Sequence, residues 1–77
     1  MNVGVEDIRN IKPGKMEVFV CEDMRKVRSA RSLIAFVKET GMPEGVADYE
    51  SEKFVKDGII LLSIRAIRTE IEQVSNI

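Results

Sequence analysis

The chain has 77 residues, 44% of them hydrophobic and 32% charged, with a net charge of −1, which gives room for one domain of ordinary globular composition and argues against disorder. With no histidine and a single cysteine, neither an internal disulfide nor a thiolate zinc site can form. The longest strongly apolar run, Ile59–Leu62, is far too short to cross a bilayer, so no membrane partner is expected.

From the N-terminus, Val5, Ile8 and Ile11 recur every third residue, which suits one or two turns of helix at the edge of a core. Glu6 and Asp7 stand where a secretory signal would carry basic residues ahead of an apolar stretch. No signal peptide is therefore expected, and a lone reduced cysteine fits the cytoplasm. Lys12-Pro13-Gly14-Lys15 reads as a turn, because proline presets φ and glycine accepts the positive φ that can follow. Met16–Cys21 has the β-branched and aromatic composition of a strand. Its two faces, Met16/Val18/Val20 and Glu17/Phe19/Cys21, are both largely apolar, so the strand is expected to lie centrally in a sheet.

Asp23 is a good helix N-cap, and Gly41 followed by Pro43 is a good stop. Between them, Met24 to Thr40 is the most helix-like stretch. At 100° per residue Val27, Ala30, Leu33, Ile34 and Val37 gather on one face, which should pack on the sheet. Arg25, Arg28, Ser29, Ser32 and Ala35 lie opposite, with Phe36 near the edge of that outer face. Val46 to Val55 follows as a strand. Asp57-Gly58 is the strongest hairpin signal in the chain, since a type I′ turn needs positive φ at both positions. Ile59 to Ile67 then returns as a strand.

A two-residue loop pairs Lys56 with Ile59 and sets Glu50 opposite Arg65, a favourable cross-strand pair. Tyr49, Ser51, Lys53 and Val55 then share the core face with Ile60, Leu62, Ile64 and Ala66. After that the period changes. Ile64, Ile67, Ile71, Val74 and Ile77 are spaced by three or four, which predicts an amphipathic C-terminal helix over residues 66–77. The expected fold class is α+β, with residues 1–77 as one small domain. A small antiparallel three-stranded sheet, arranged as a meander, packs on one long helix, with a short N-terminal helix and a C-terminal helix. A hairpin after a helix also suits a winged helix-turn-helix, but only one helix here is long.

The residues argue against catalysis. Histidine, the commonest acid–base group at neutral pH, is absent. Cys21 has Glu22 and Asp23 as neighbours, which would raise its pKa, and reads as a buried strand residue. The five glycines match no phosphate-binding fingerprint. Asp48, Glu50 and Glu52 alternate, as a solvated strand face does, although a metal site would need such a row plus a further acid. No enzyme, no cofactor, no metal and no small-molecule substrate are expected.

Charge is uneven. The helix from Met24 holds Arg25, Lys26, Arg28, Arg31 and Lys38 against Glu39, five minus one or +4, so the rest of the chain sums to −5. Arg25, Arg28, Ser29 and Ser32, with Arg31 at the margin, offer phosphate donors on one exposed face, and arginine can read guanine edges. A surface helix needs charges in any case, but cations in its N-terminal half oppose the helix dipole. The acidic pI of about 5.4 weighs against a dedicated nucleic-acid binder. A second candidate surface is the apolar C-terminal segment, with Ile67, Ile71 and Val74 as a self-association seam for a domain too small to be robust alone.

Ile8-Arg9-Asn10-Ile11-Lys12-Pro13-Gly14-Lys15, the strand after it, the helix containing Ser29-Ala30-Arg31-Ser32 and the Asp57-Gly58 hairpin together resemble a loose pattern in small uncharacterised proteins of bacteriophages and mobile elements. The resemblance covers roughly Ile8 to Ile67 and rests on short motifs. It implies a strand–helix–hairpin core and a nucleic-acid role. The chain departs from the pattern at Ile64-Arg65, where an aromatic is usual, and in its C-terminal tail.

Overall fold

The computed structural model describes residues 3–69. In chain order the elements are α1 (Val5–Arg9), β1 (Met16–Cys21), α2 (Met24–Thr40), β2 (Val46–Lys56) and β3 (Ile59–Arg68). The fold is α+β: a three-stranded antiparallel sheet with one long and one short helix.

Local chemistry sets the element ends. The Asp7 carboxylate accepts the Gly4 N–H at 2.7 Å, so α1 starts with an acid closing its first turn. Asp23 Oδ1 accepts the Lys26 N–H at 3.0 Å and caps α2. Gly41, at φ 126°, sends its N–H back to the Val37 carbonyl at 3.0 Å and ends the helix. Asp57 and Gly58 have φ of 55° and 76°, the positive pair of a type I′ turn. Lys56 pairs with Ile59 and Glu50 faces Arg65, the register that the turn dictates.

The strand order is β1-β3-β2. Both outer strands run antiparallel to β3, hence parallel to each other, and α2 crosses between them. The sheet is therefore no meander, and β1 is not central. The hairpin obliges β3 to lie beside β2, and β1 takes the remaining edge of β3. The double-sided apolarity of β1 has another origin: only its Glu17/Phe19/Cys21 side turns toward the helix.

Leu62, Ile64 and Ala66 on β3 are wholly buried beneath Val27, Ala30, Ile34 and Val37 of α2, with Ile8 and Ile11 closing one end. Val46 and Tyr49 both join this core although three residues separate them. A β-bulge between Val46 and Asp48 absorbs the odd residue and restores the inward alternation. Lys53 and Val55 share the inner side by register but lie out along the hairpin, where they are exposed.

The C-terminal helix expected over 66–77 does not begin at Ala66. β3 runs through Arg68, with Ala66, Ile67 and Arg68 paired to Tyr49, Asp48 and Val46, and the Thr69 N–H donates to the Gly45 carbonyl at 2.9 Å. β2 supplies ladder partners there, and they outweigh the helical spacing of the side chains. Residues 70–77 lie outside the described residues.

Ile64→Val removes one methylene from a fully buried site in the central strand. It should cost about 1 kcal/mol, read as a lower urea midpoint. Val55→Ala, at an exposed site, should stay within about 0.5 kcal/mol of the parent.

Candidate nucleic-acid interface

Burial of Val27, Ala30, Ile34 and Val37 against the sheet fixes the rotation of α2 about its axis. Its opposite side is then presented to solvent. Arg25, Ser29, Ser32 and Phe36 follow one another at steps of four, three and four, a single stripe about 16 Å long at the helical rise. Arg28 flanks it. All five are exposed, and so are Arg31 at the margin and Glu39 near the C-terminal end.

The two leading arginines stand free. Neither Arg25 nor Arg28 has an ion pair or side-chain hydrogen bond among the described residues. Arg31 leans away toward the sheet, its Nε donating to Ser51 Oγ at a long 3.4 Å. Lys38 is engaged elsewhere, with Nζ 2.8 Å from Asp48 Oδ1. That contact, together with the Tyr49 N–H, holds the Asp48 carboxyl below its ordinary pKa. A lowered folded pKa means that any stabilisation is present above the usual carboxylate range and is lost as pH falls through the lowered value. Because the Asp48 side chain is more than half exposed, that contribution is small.

The other predicted positions scatter. Ile67 is half-buried on the side of β3 away from α2, while Ile71 and Val74 lie outside the described residues. Asp48 is drawn off to Lys38, so Asp48, Glu50 and Glu52 do not converge. No cluster of three or more Cys, Asp or Glu suited to a metal ion occurs among the described residues. Glu50 faces Arg65 across the ladder without closing into an ion pair. Cys21 is buried, and burial is the main cause that raises its thiol pKa; Asp23 adds to it. No helix among the described residues is long and apolar enough to cross a membrane.

Three features escaped the sequence reading. Phe36 sits within the arginine–serine stripe, not at its edge, as continuing the 100° arithmetic from Arg25 would have placed it. On the sheet side without a helix, Met16, Val18, Val20, Phe54 and Ile59 are all 46–56% exposed. The apolar Met16/Val18/Val20 face was visible, but it signalled a central strand. Finally, Tyr49 Oη and Arg9 Nε are buried without a hydrogen-bond partner, although Arg9 Nη2 reaches Thr40 Oγ1 at 3.1 Å. Burial raises the Tyr49 pKa, and the Arg9 charge opposes the shift.

No protein-family model matches this chain, and no curated protein and no solved structure matches it either.

Two outcomes follow from the buried polar groups. Removing the Tyr49 hydroxyl relieves an unpartnered donor, so Tyr49→Phe should leave thermal stability unchanged or raise it by up to about 1 kcal/mol. The Cys21 thiol should alkylate slowly with iodoacetamide at neutral pH in the folded protein and rapidly once urea unfolds it.

Proposed function

We propose that this chain is a small non-catalytic accessory protein that binds nucleic acid through the outer face of α2. The observation that carries the reading is the pair Arg25 and Arg28, exposed on one helical face with no acidic partner among the described residues. Phosphate oxygens would accept from their guanidinium groups, whose forked donors match a phosphate well. Ser29 and Ser32 add short hydroxyl donors farther along the same face, and Arg31 can swing from Ser51 at little cost because that bond is long. Phe36 at the far end of the stripe offers an apolar plate for a thymine methyl or an unstacked base.

The charge distribution supports the orientation. Residues Met24–Glu39 carry +4 and the rest of the chain −5. A polyanion is therefore drawn toward α2 more than toward the rest of the chain. The same balance bounds the strength. Two or three phosphate contacts give a salt slope of about −2 to −3 in log K against log salt, and non-specific affinity of about 10⁻⁴ to 10⁻⁶ M. The interaction is one of an accessory component, not of a stand-alone repressor.

A second reading, a protein-interaction or self-association module, draws on the uncovered side of the sheet, where Ile67 stands with Met16, Val18 and Val20. It assigns the chain a docking role through that side.

Fluorescence anisotropy with labelled duplex DNA tests the nucleic-acid reading. The nucleic-acid reading expects binding at low salt with that slope. It expects Arg25→Ala and Arg28→Ala each to weaken binding and to reduce the slope by roughly one unit. Absence of binding at low salt, or arginine variants that bind as the parent does, would remove it.

A further inference from the structure

Among the described residues, the sheet has one helix-covered side and one bare side. On the bare side the register stacks three rows across β1, β3 and β2: Met16–Arg65–Glu50, Val18–Ser63–Glu52 and Val20–Leu61–Phe54. Ile59 and Lys56 continue the last two strands toward the hairpin tip. Charge thus collects at one end, and the Val20–Leu61–Phe54 row with Ile59 forms an apolar surface at the other. Val20, Phe54 and Ile59 are each about half exposed. Ser63, in the middle row, is small and buried, its hydroxyl donating to the Glu52 carbonyl at 3.4 Å, so it leaves the surface level.

The pattern along β2 identifies what fits there. On this side β2 reads Glu52, Phe54, Lys56: an acid, an aromatic and a base at equal steps. Reversed in direction, the same triplet is its own electrostatic complement. Directly across the ladder Glu52 meets Ser63 and Lys56 meets Ile59, so neither has an opposite charge facing it in its own sheet. Neither forms an ion pair among the described residues.

We infer that the bare side of the sheet binds a second copy of this chain, face to face, about a two-fold axis that passes over Leu61. In that arrangement Phe54 meets the partner's Phe54, Leu61 meets the partner's Leu61 and Val20 meets the partner's Val20. Glu52 of each copy faces Lys56 of the partner subunit, twice by symmetry. Two antiparallel inner faces packed this way make the core of a β-sandwich. Strand rise and spacing limit the overlap to about 20 by 14 Å per copy. That is about 560 Å² in total, below the roughly 1,000 Å² of a stable interface, so association is weak and transient and shows only toward the millimolar end. The outer face of α2 points away from this interface in both copies. The dimer and the nucleic-acid reading therefore stand or fall separately.

Sedimentation equilibrium of the full chain from micromolar to millimolar concentration tests the inference. The mass should rise from one chain to two. Phe54→Glu, at a half-exposed site, should fold, as judged by circular dichroism, and remain monomeric. Glu52→Lys and Lys56→Glu should each weaken association at least tenfold, because like charges then face each other twice. The double variant, and an equimolar mixture of the two single variants, should regain it, since opposite charges meet again in both. A chain monomeric throughout the range, a dimer indifferent to Phe54→Glu, or charge reversals that the double variant does not rescue would each overturn it.

Discussion

The structure depends on the two-residue turn at Asp57-Gly58. Both residues take positive φ, which few residue pairs accept and which matches the twist of the two strands it joins. The turn fixes Lys56 against Ile59, and every later pair in the β2–β3 ladder follows. A slip of one residue would carry Leu62, Ile64 and Ala66 to the bare side and strand Leu61, Ser63 and Arg65 beneath the helix. The central strand, the edge position of β1 and the crossing of α2 are consequences of that pairing.

One long helix can cover one side of a three-stranded sheet and no more. α2 covers the side built from Phe19, Cys21, Leu62, Ile64, Ala66 and Tyr49, with α1 packed beside it. Among the described residues the opposite side keeps its apolar residues about half exposed, at a cost of roughly 25 cal/mol for each Å² that a partner could have removed. A domain this short buries a modest share of its surface, so such exposure is a large fraction of its stability. The chain thus has two chemically distinct sides, a basic helix face and a largely apolar sheet face.

The candidate site was legible where it depends on a single helix. Arg25, Arg28, Ser29 and Ser32 share a face because the helix period says so, and the inner residues that fix the rotation are read from the same period. What the period could not tell was which charges are already engaged. Lys38 is taken by Asp48, and Arg31 touches Ser51; both partners come from β2, ten and twenty residues away in sequence. Phe36 belongs to the same face, since eleven steps of about 100° bring it back to within about 20° of Arg25.

The sequence by itself determined the local features: the Asp23 cap, the Gly41 stop, the hairpin turn, the two strands it joins and which of their faces is inward. These rest on φ preferences and periodicities that operate within a few residues. Only the tertiary structure decided that β1 is an edge strand, that a bulge lets Val46 and Tyr49 both turn inward, and that β3 runs on through Arg68 where the side-chain spacing favoured a helix. The physical reason is common to all three. A strand's backbone groups are satisfied by a neighbour distant in the chain, and whether an apolar face is buried depends on whether another layer exists to cover it. Neither is written in the spacing of the residues that need them.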